Sequence, residues 1–249
     1  MDFSGKTAIV TGATGGIGKA VAEGIIRGGG TVALAGINAP ALEATRLDLG
    51  ERSSAYVLDL GDAPGTRAAF AQIINDLKKI DILVNSGGLV SSASFEEISD
   101  AEWENVLRVN LTGTFTACSA IFGHMRENGG GSIVNIASVA AKLGGGLLGT
   151  AAYASSKAGV IGLSKAIARE GGPFGIRCNA VCPSYTLTPM TKSITNDPAF
   201  TERVLRMIPL GRAASPEEIA NMVLFFASDL ASFITGEIGD ADGGLTRDG

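Results

Sequence analysis

The stretch Thr7-Ala8-Ile9-Val10-Thr11-Gly12-Ala13-Thr14-Gly15-Gly16-Ile17-Gly18 decides how the rest of the chain is read. It opens with a short β-branched and aliphatic run, the pattern of a buried strand. A helical pattern begins where the glycines end, with Ala20, Val21, Gly24 and Ile25 on one side. A glycine-rich turn between strand and helix lets the backbone approach a pyrophosphate, while the helix N-terminus supplies free N–H groups and a dipole that favours negative charge. The glycines alone would make an ordinary turn; the strand before them and the helix after them supply the required context. The spacing is Gly-x-x-x-Gly-x-Gly, and the absence of a lysine excludes a P-loop.

Working outward, short aliphatic runs alternate with longer segments of helical period, the pattern of repeated βαβ units around a parallel sheet. Strands are predicted at 7–10, 31–35, 55–58, 82–84, 132–137, 177–181 and near 237–240. Most are continuous apolar runs, as expected when helices cover both faces. Leu111, Phe115, Cys118, Phe122 and Met125 form one helical stripe, fit for core or subunit interface, and Ile219, Met222, Val223 and Phe226 form another. The second helix has a sharp start signal: Ser215 caps, Pro216 fits the first turn and Glu218 completes a capping box, a pattern that Ser99 and Glu102 repeat. No linker, internal repeat or charge block divides the chain, so 1–249 is expected to form a single α/β domain. Residues 184–209, with prolines at 189, 198 and 209 and weak periodicity, are expected to be a mobile substrate loop.

Composition narrows the function. The 249 residues include 35 glycines, about twice the average share of roughly 7%, but without the period of three that collagen needs. High hydrophobicity (45%) with few charged residues (18%) excludes disorder, and a net charge of −5 argues against nucleic acid as partner. Three cysteines (Cys118, Cys178, Cys182) and one histidine (His124) have neither disulfide nor zinc spacing, which predicts no metal and a reducing compartment. The start lacks a signal-peptide pattern, and the longest uncharged stretch is interrupted by polar residues, so a soluble cytoplasmic protein without membrane contact is expected.

The candidate chemistry lies near the middle. Tyr153 and Lys157 stand four apart on a helical stripe, which puts phenol and ammonium on one face. A tyrosine with a pKa near 10 is a poor proton exchanger at neutral pH, and a neighbouring cation favours its ionised form. Ser138 follows the predicted fifth strand, at the carboxyl end where open parallel sheets bind ligands, and its hydroxyl can hold a substrate oxygen beside the tyrosine.

Together these residues resemble the short-chain dehydrogenase/reductase family over essentially the whole chain. The matching landmarks are the 11–18 turn, Asp59, Asn85 to Gly88, Asn110, Ser138, Tyr153-x-x-x-Lys157, Pro183 with Thr188, and Asp242-Gly243-Gly244. The resemblance implies a doubly wound Rossmann domain with a seven-stranded parallel sheet, a nicotinamide dinucleotide (NAD or NADP), a small-molecule alcohol or ketone substrate, and a homotetramer. It implies Tyr153 as general acid and base, Lys157 lowering its pKa and holding the nicotinamide ribose, Ser138 orienting the substrate oxygen, and Asn110 holding a water of a proton relay. It implies cofactor contacts from Gly12, Thr14, Gly16, Ile17 and Gly18, from Gly36, Ile37 and Asn38, and from Asp59 and Leu60. Further contacts are expected from Asn85, Ser86 and Gly87, from Tyr153 and Lys157, and from Pro183, Thr186 and Thr188.

Departures from the family pattern bear on function. Cofactor choice is read at Ala35-Gly36-Ile37-Asn38, which offers neither an acid for a ribose 2′-OH nor an arginine for a 2′-phosphate. Gly15 stands where many NADP-preferring members carry a cation, and a phosphate unpaired beside Ile37 would be costly, which favours NAD. Ser86 and Ser184 replace residues usual in the family, and Gly144-Gly145-Gly146, flanked by Leu143, Leu147 and Leu148, lengthens the loop bordering the substrate. A sugar or polyol dehydrogenase is favoured over a 3-oxoacyl thioester reductase, for which Lys142, Lys192 and Arg203 are scattered candidates to meet the carrier's phosphate. A nucleotide-sugar epimerase would need a sizeable C-terminal substrate domain. A non-catalytic dinucleotide sensor would have no use for the intact Asn110, Ser138, Tyr153 and Lys157 set.

Overall fold

The computed structural model describes residues 1–145, 149–192 and 196–247, and along them strand alternates with helix. The first half runs β1 (Thr7–Thr11), α1 (Gly16–Arg27), β2 (Thr31–Gly36), α2 (Ala39–Leu49), β3 (Ser53–Val57), α3 (Ala63–Leu77) and β4 (Ile82–Asn85). The second runs α4 (Asp100–Leu107), a π-helical turn (Arg108–Thr112), α5 (Gly113–Glu127), β5 (Gly131–Ile136), α6 (Ala140–Leu143) and α7 (Ala151–Gly171). It continues with β6 (Ile176–Pro183), α8 (Pro198–Met207), α9 (Pro216–Ala227) and β7 (Ile238–Ala241). All seven strands are parallel, in the order β3-β2-β1-β4-β5-β6-β7. This is the expected doubly wound, Rossmann-type sheet, whose order reverses direction between β1 and β4.

The period of two along each strand sorts side chains onto two cores. Ala8, Val10, Val32, Leu34, Ile82, Val84 and Val134 pack with α1 and α9, through Val21, Ile25, Ile219 and Val223. The alternate residues Ile9, Ala33, Leu83 and Ile133 pack with α3 and α5, through Phe70, Ile73, Ile121 and Met125. Burying both faces explains the near-continuous apolar runs, since no strand position among these faces water. The cysteines are buried and free, Cys118 and Cys178 in the second core and Cys182 in a smaller cluster with Val139 and Val160; burial pushes the Cys118 thiol up to about 12, so it packs as an apolar group.

Strand positions agree with the sequence reading to within two residues, with β6 ending two residues later than read and β3 starting two earlier. Ser53 and Ser54 hide its start from an apolar pattern, but Ser53 Oγ donates to the carbonyls of Gly50 and Arg46, which ties the strand to the end of α2. The stripe from Leu111 to Met125 divides: Cys118 and Met125 are buried, Leu111 and Phe122 are half-buried, and Phe115 turns outward. Among the described residues no helix is long and apolar enough to cross a membrane, and no group of three or more potential ligands could hold a metal ion.

The α9 cap forms as its sequence predicts. Ser215 Oγ accepts from Glu218 N at 3.3 Å, Glu218 Oε2 accepts from Ser215 N at 2.9 Å, and Arg212 closes on the same carboxylate. The Arg212 guanidinium therefore holds the Glu218 carboxyl down at about 2. Ser215→Ala is expected to cost about 1 kcal/mol, read as a lowered urea midpoint at constant slope.

Candidate active site

A cleft of about 280 Å³ opens at the carboxyl ends of β1, β4, β5 and β6, where strand order reverses. Gly12, Thr14, Gly16 and Ile17 line it from the phosphate turn, Ser86 and Gly87 from the end of β4. Ser138, Tyr153 and Lys157 form another wall, and Pro183, Thr186 and Thr188 close it from β6. These predicted residues lie far apart in sequence and meet because parallel strands deliver all their carboxyl ends to one edge.

Backbone approaches backbone at the floor. Gly12 has φ +66, and a Cβ there would lie 2.7 Å from Gly87 N; a Cβ at Gly18 would overlap the Gly12 carbonyl. A Cβ at Gly16, φ +49, would lie 2.8 Å from Thr188 Cγ2, so the segment after β6 already rests on the phosphate turn. Gly87 N donates to Thr11 Oγ1 at 3.3 Å, which locks the two turns together. A floor free of side chains beside the start of α1 fits a dinucleotide pyrophosphate.

The remaining predicted cofactor residues fall into three groups. Gly36, Ile37 and Asn38 leave the end of β2 outside this cleft, with Ile37 73% exposed. The Asn38 side chain caps α2 by accepting from Ala41 N at 3.0 Å. Asp59 is exposed and accepts from Gly61 N, and Leu60 is buried against Gly87. The Asn85 side chain points away from the cleft into the sheet, donating to Asn135 Oδ1 at 2.8 Å and to Cys118 Sγ. Asn135 passes the network on to Ser164 of α7, so Asn85 ties β4 to β5 and the active-site helix.

Asn110 sits in the π-helical turn between α4 and α5, fully buried. Such a bulge re-aims one side chain inward. Its amide makes paired bonds with Leu89, accepting from N and donating to O at 2.9 Å each, and donates to Ser156 Oγ at 3.0 Å. Ser156 in turn donates to the Tyr153 carbonyl, so the loop after β4 is clamped to the helix bearing Tyr153 and Lys157. A Cβ at Gly88 would come within 3.0 Å of Asn110 Oδ1 and 3.7 Å of Lys157 Nζ, which keeps that corner free of side chains.

The Lys157 ammonium is buried and donates to the Ile136 carbonyl at 2.7 Å. Burial pulls it down to about 8, near enough to neutrality for the group to hold or release a proton. Burial likewise pushes the Tyr153 phenol up, with hydrogen bonding to Ser138 opposing the rise. The Lys157 nitrogen lies 5.7 Å from the Tyr153 ring centroid and is not among the causes that shift the phenol; Ser138 is the group that favours its ionised form. Ser138 Oγ also accepts from Ala140 N at 3.1 Å.

Three residues of the site escaped the sequence reading. Ile136 contributes only a carbonyl, which no side-chain pattern reveals. Gly149 lies against Tyr153: a Cβ there would meet the ring Cγ at 2.6 Å. Thr191 completes a capping box with Thr188 over Pro189–Thr191, and here Thr188-Pro189 was a readable helix-start signal. Ser184 does not disturb the turn; its hydroxyl donates to the Asp242 carbonyl at 2.9 Å, a link that glycine would lack. Of the loop leucines and glycines expected beside the substrate, Gly146, Leu147 and Leu148 lie outside the described residues.

A family profile described as Enoyl-(Acyl carrier protein) reductase matches residues 12–246. The chain belongs to the short-chain dehydrogenase/reductase family. D-threitol dehydrogenase of Mycolicibacterium smegmatis is 40% identical over 251 residues, covering 99% of this chain and 95% of that one. The 3-oxoacyl-[acyl-carrier-protein] reductase FabG of Aquifex aeolicus is 38% identical, covering 98% and 99%. Among solved structures, a protein proposed as an NAD(P) dependent gluconate 5-dehydrogenase from Beutenbergia cavernae, with NADP bound at low occupancy, superposes with a TM-score of 0.92 at 35% identity, covering 99% of each chain. This member of the family is an NAD(P)-dependent oxidoreductase acting on CH–OH groups.

Because Gly149 leaves no room beside the phenol, Gly149→Ala is expected to displace Tyr153 and cut kcat about a hundredfold while cofactor affinity changes little. Steady-state kinetics and a cofactor fluorescence titration separate the two effects.

Proposed function

We propose that this chain interconverts a small polyol or sugar alcohol and its ketone, with Tyr153 as general acid and base. The observation that carries the reading is the convergence of Ser138, Tyr153, Lys157 and the Asn110 clamp on one cleft beside a glycine floor. The cofactor contacts are assigned to the predicted residues of the turns after β1, β2, β3, β4 and β6 and to Tyr153 and Lys157, with Asn85 acting through its strand. A nicotinamide cofactor held there would supply the hydride exchange with the alcohol or carbonyl carbon.

The chain's own groups govern position and protonation. Ser138 Oγ orients the substrate oxygen, and in oxidation the Tyr153 phenolate accepts the hydroxyl proton; in reduction the phenol returns it. Lys157, held by the Ile136 carbonyl, would hold the nicotinamide ribose and pass the proton toward solvent by way of a water at Asn110. A phenol raised by burial keeps its proton at neutral pH, so oxidation is expected to quicken as pH rises and reduction to slow.

The thioester alternative needs free cations at the cleft mouth. Lys142, one candidate, is engaged at 2.6 Å with Asp240, and Arg203 stacks on Phe200. This favours the polyol reading, as does the D-threitol dehydrogenase relative. NAD is favoured over NADP because the start of α2, where a 2′-phosphate would lie, has little to offer. Asn38 caps Ala41 N, Pro40 has no N–H, and the exposed neighbour is Ile37. We further assign the chain to one domain, a homotetramer in the cytoplasm. Exposed Phe115, Leu230 and Phe233 are apolar surface available to subunit contacts, and light scattering measures the assembly.

Assays with D-threitol and related polyols, and with 3-oxoacyl thioesters, each with both cofactors, test the substrate class; turnover of the thioesters alone would overturn it. Tyr153→Phe is expected to abolish turnover, by about a thousandfold or more, with cofactor affinity within a few-fold. At Gly36 a Cβ would meet only Leu42 Cδ2, at 3.8 Å, so Gly36→Asp should fold. It should sharpen the NAD-to-NADP ratio of kcat/KM about tenfold by adding a 2′-OH acceptor.

A further inference from the structure

Strand β7 reads Ile238-Gly239-Asp240-Ala241, and the aspartate breaks the apolar pattern of its neighbours in the sheet. Its carboxylate is paired across the chain with Lys142 of α6, Nζ to Oδ2 at 2.6 Å, and the two side chains are only 22% and 18% exposed. A largely buried ion pair regains its desolvation cost only in part, and an apolar pair of similar volume usually does as well or better. Asp240 Oδ1 is also buried without a hydrogen-bond partner among the described residues. A local rule broken at such cost, with no general gain in stability, points to a functional constraint.

The place of the pair in the fold says which constraint. The single turn α6 is too short to hold itself, and it begins two residues after Ser138. Ala140 N donates to Ser138 Oγ and Ala141 N to the Ser138 carbonyl, so the orientation of α6 sets where the Ser138 hydroxyl lies. Asp240 sits beside Cys182 in register, so the ion pair reaches from α6 across the end of β6 to β7. Burial pushes the Cys182 thiol up to about 11; Asp240 adds to the rise, while Lys142 and Lys157 oppose it, so both charges of the pair act at the back of the catalytic group.

We propose that Lys142 and Asp240 are a positioning pair, a strap from α6 to β7 that fixes Ser138 Oγ beside Tyr153. The proposal rests on the reading of Ser138 as the residue that orients the substrate oxygen. Neither charge touches the substrate; both act through α6.

The test compares Lys142→Met, Asp240→Asn and Lys142→Arg in the full chain, with Lys142→Met/Asp240→Leu as an apolar replacement of both partners. Hydrogen exchange of the segment 138–143 needs no substrate. Lys142→Met and Asp240→Asn should quicken it about tenfold with β1 and β4 unchanged, and Lys142→Arg should restore protection. With whichever alcohol is turned over, Lys142→Met should lower kcat about tenfold in the wild-type background but less than about twofold in Ser138→Ala, a non-additivity that general destabilisation would not produce. The apolar double variant should regain Tm and keep the low kcat, showing that the loss belongs to a folded protein. Unchanged exchange at 138–143 in both single variants, or an equal loss of kcat in the two backgrounds, would overturn the strap. If the wild type turns over no alcohol, it is the substrate reading that fails, and the exchange measurement still decides the strap.

Discussion

The backbone contact between the turn after β1 and the turn after β4 is the constraint on which the rest depends. A Cβ at Gly12 would lie 2.7 Å from Gly87 N, one at Gly87 would run into Leu60 Cδ1 at 2.8 Å, and Thr11 Oγ1 accepts from Gly87 N across the contact. That contact lies where the strand order reverses, so it fixes both the floor of the cleft and the start of α1. Any side chain there would part β1 from β4 and remove the surface that a pyrophosphate needs.

Around this floor the protein spends buried polar groups on alignment. Asn110, turned inward by a π-helical turn, grips the Leu89 backbone on one side and Ser156 on the other. Asn85 and Asn135 tie β4 and β5 to Ser164. Both networks end on α7, the helix that carries Tyr153 and Lys157. The two cores around the sheet give stability without direction, since apolar contacts slide; the amide pairs set where α7 stops relative to the strand ends.

Much of this was legible in the sequence, for identifiable reasons. Strands buried on both faces leave unbroken apolar runs, and Ser215-Pro216-x-Glu218 spells a helix start whose hydrogen bonds are all local. The Tyr153 and Lys157 spacing follows from helix geometry alone. Contacts made through backbone atoms left no trace: the Ile136 carbonyl under Lys157 and the bare Gly149 beside Tyr153 have neighbours brought from elsewhere in the chain. The orientation of a polar side chain was equally hidden, so Asn85 was expected at the cofactor but turns into the sheet.

The sequence by itself determined the alternation of strand and helix, the phosphate turn and the types of residue available for proton transfer, because these depend on periods of two and 3.6 and on glycines spaced within a single turn. Only the tertiary structure decided which cations remain available and which protons are shifted. Lys142 is engaged by Asp240, ninety-eight residues away in sequence, and burial moves the Lys157 ammonium and the Tyr153 phenol. Charge and protonation are set by desolvation and by partners across the fold, and neither exists until the strands have assembled.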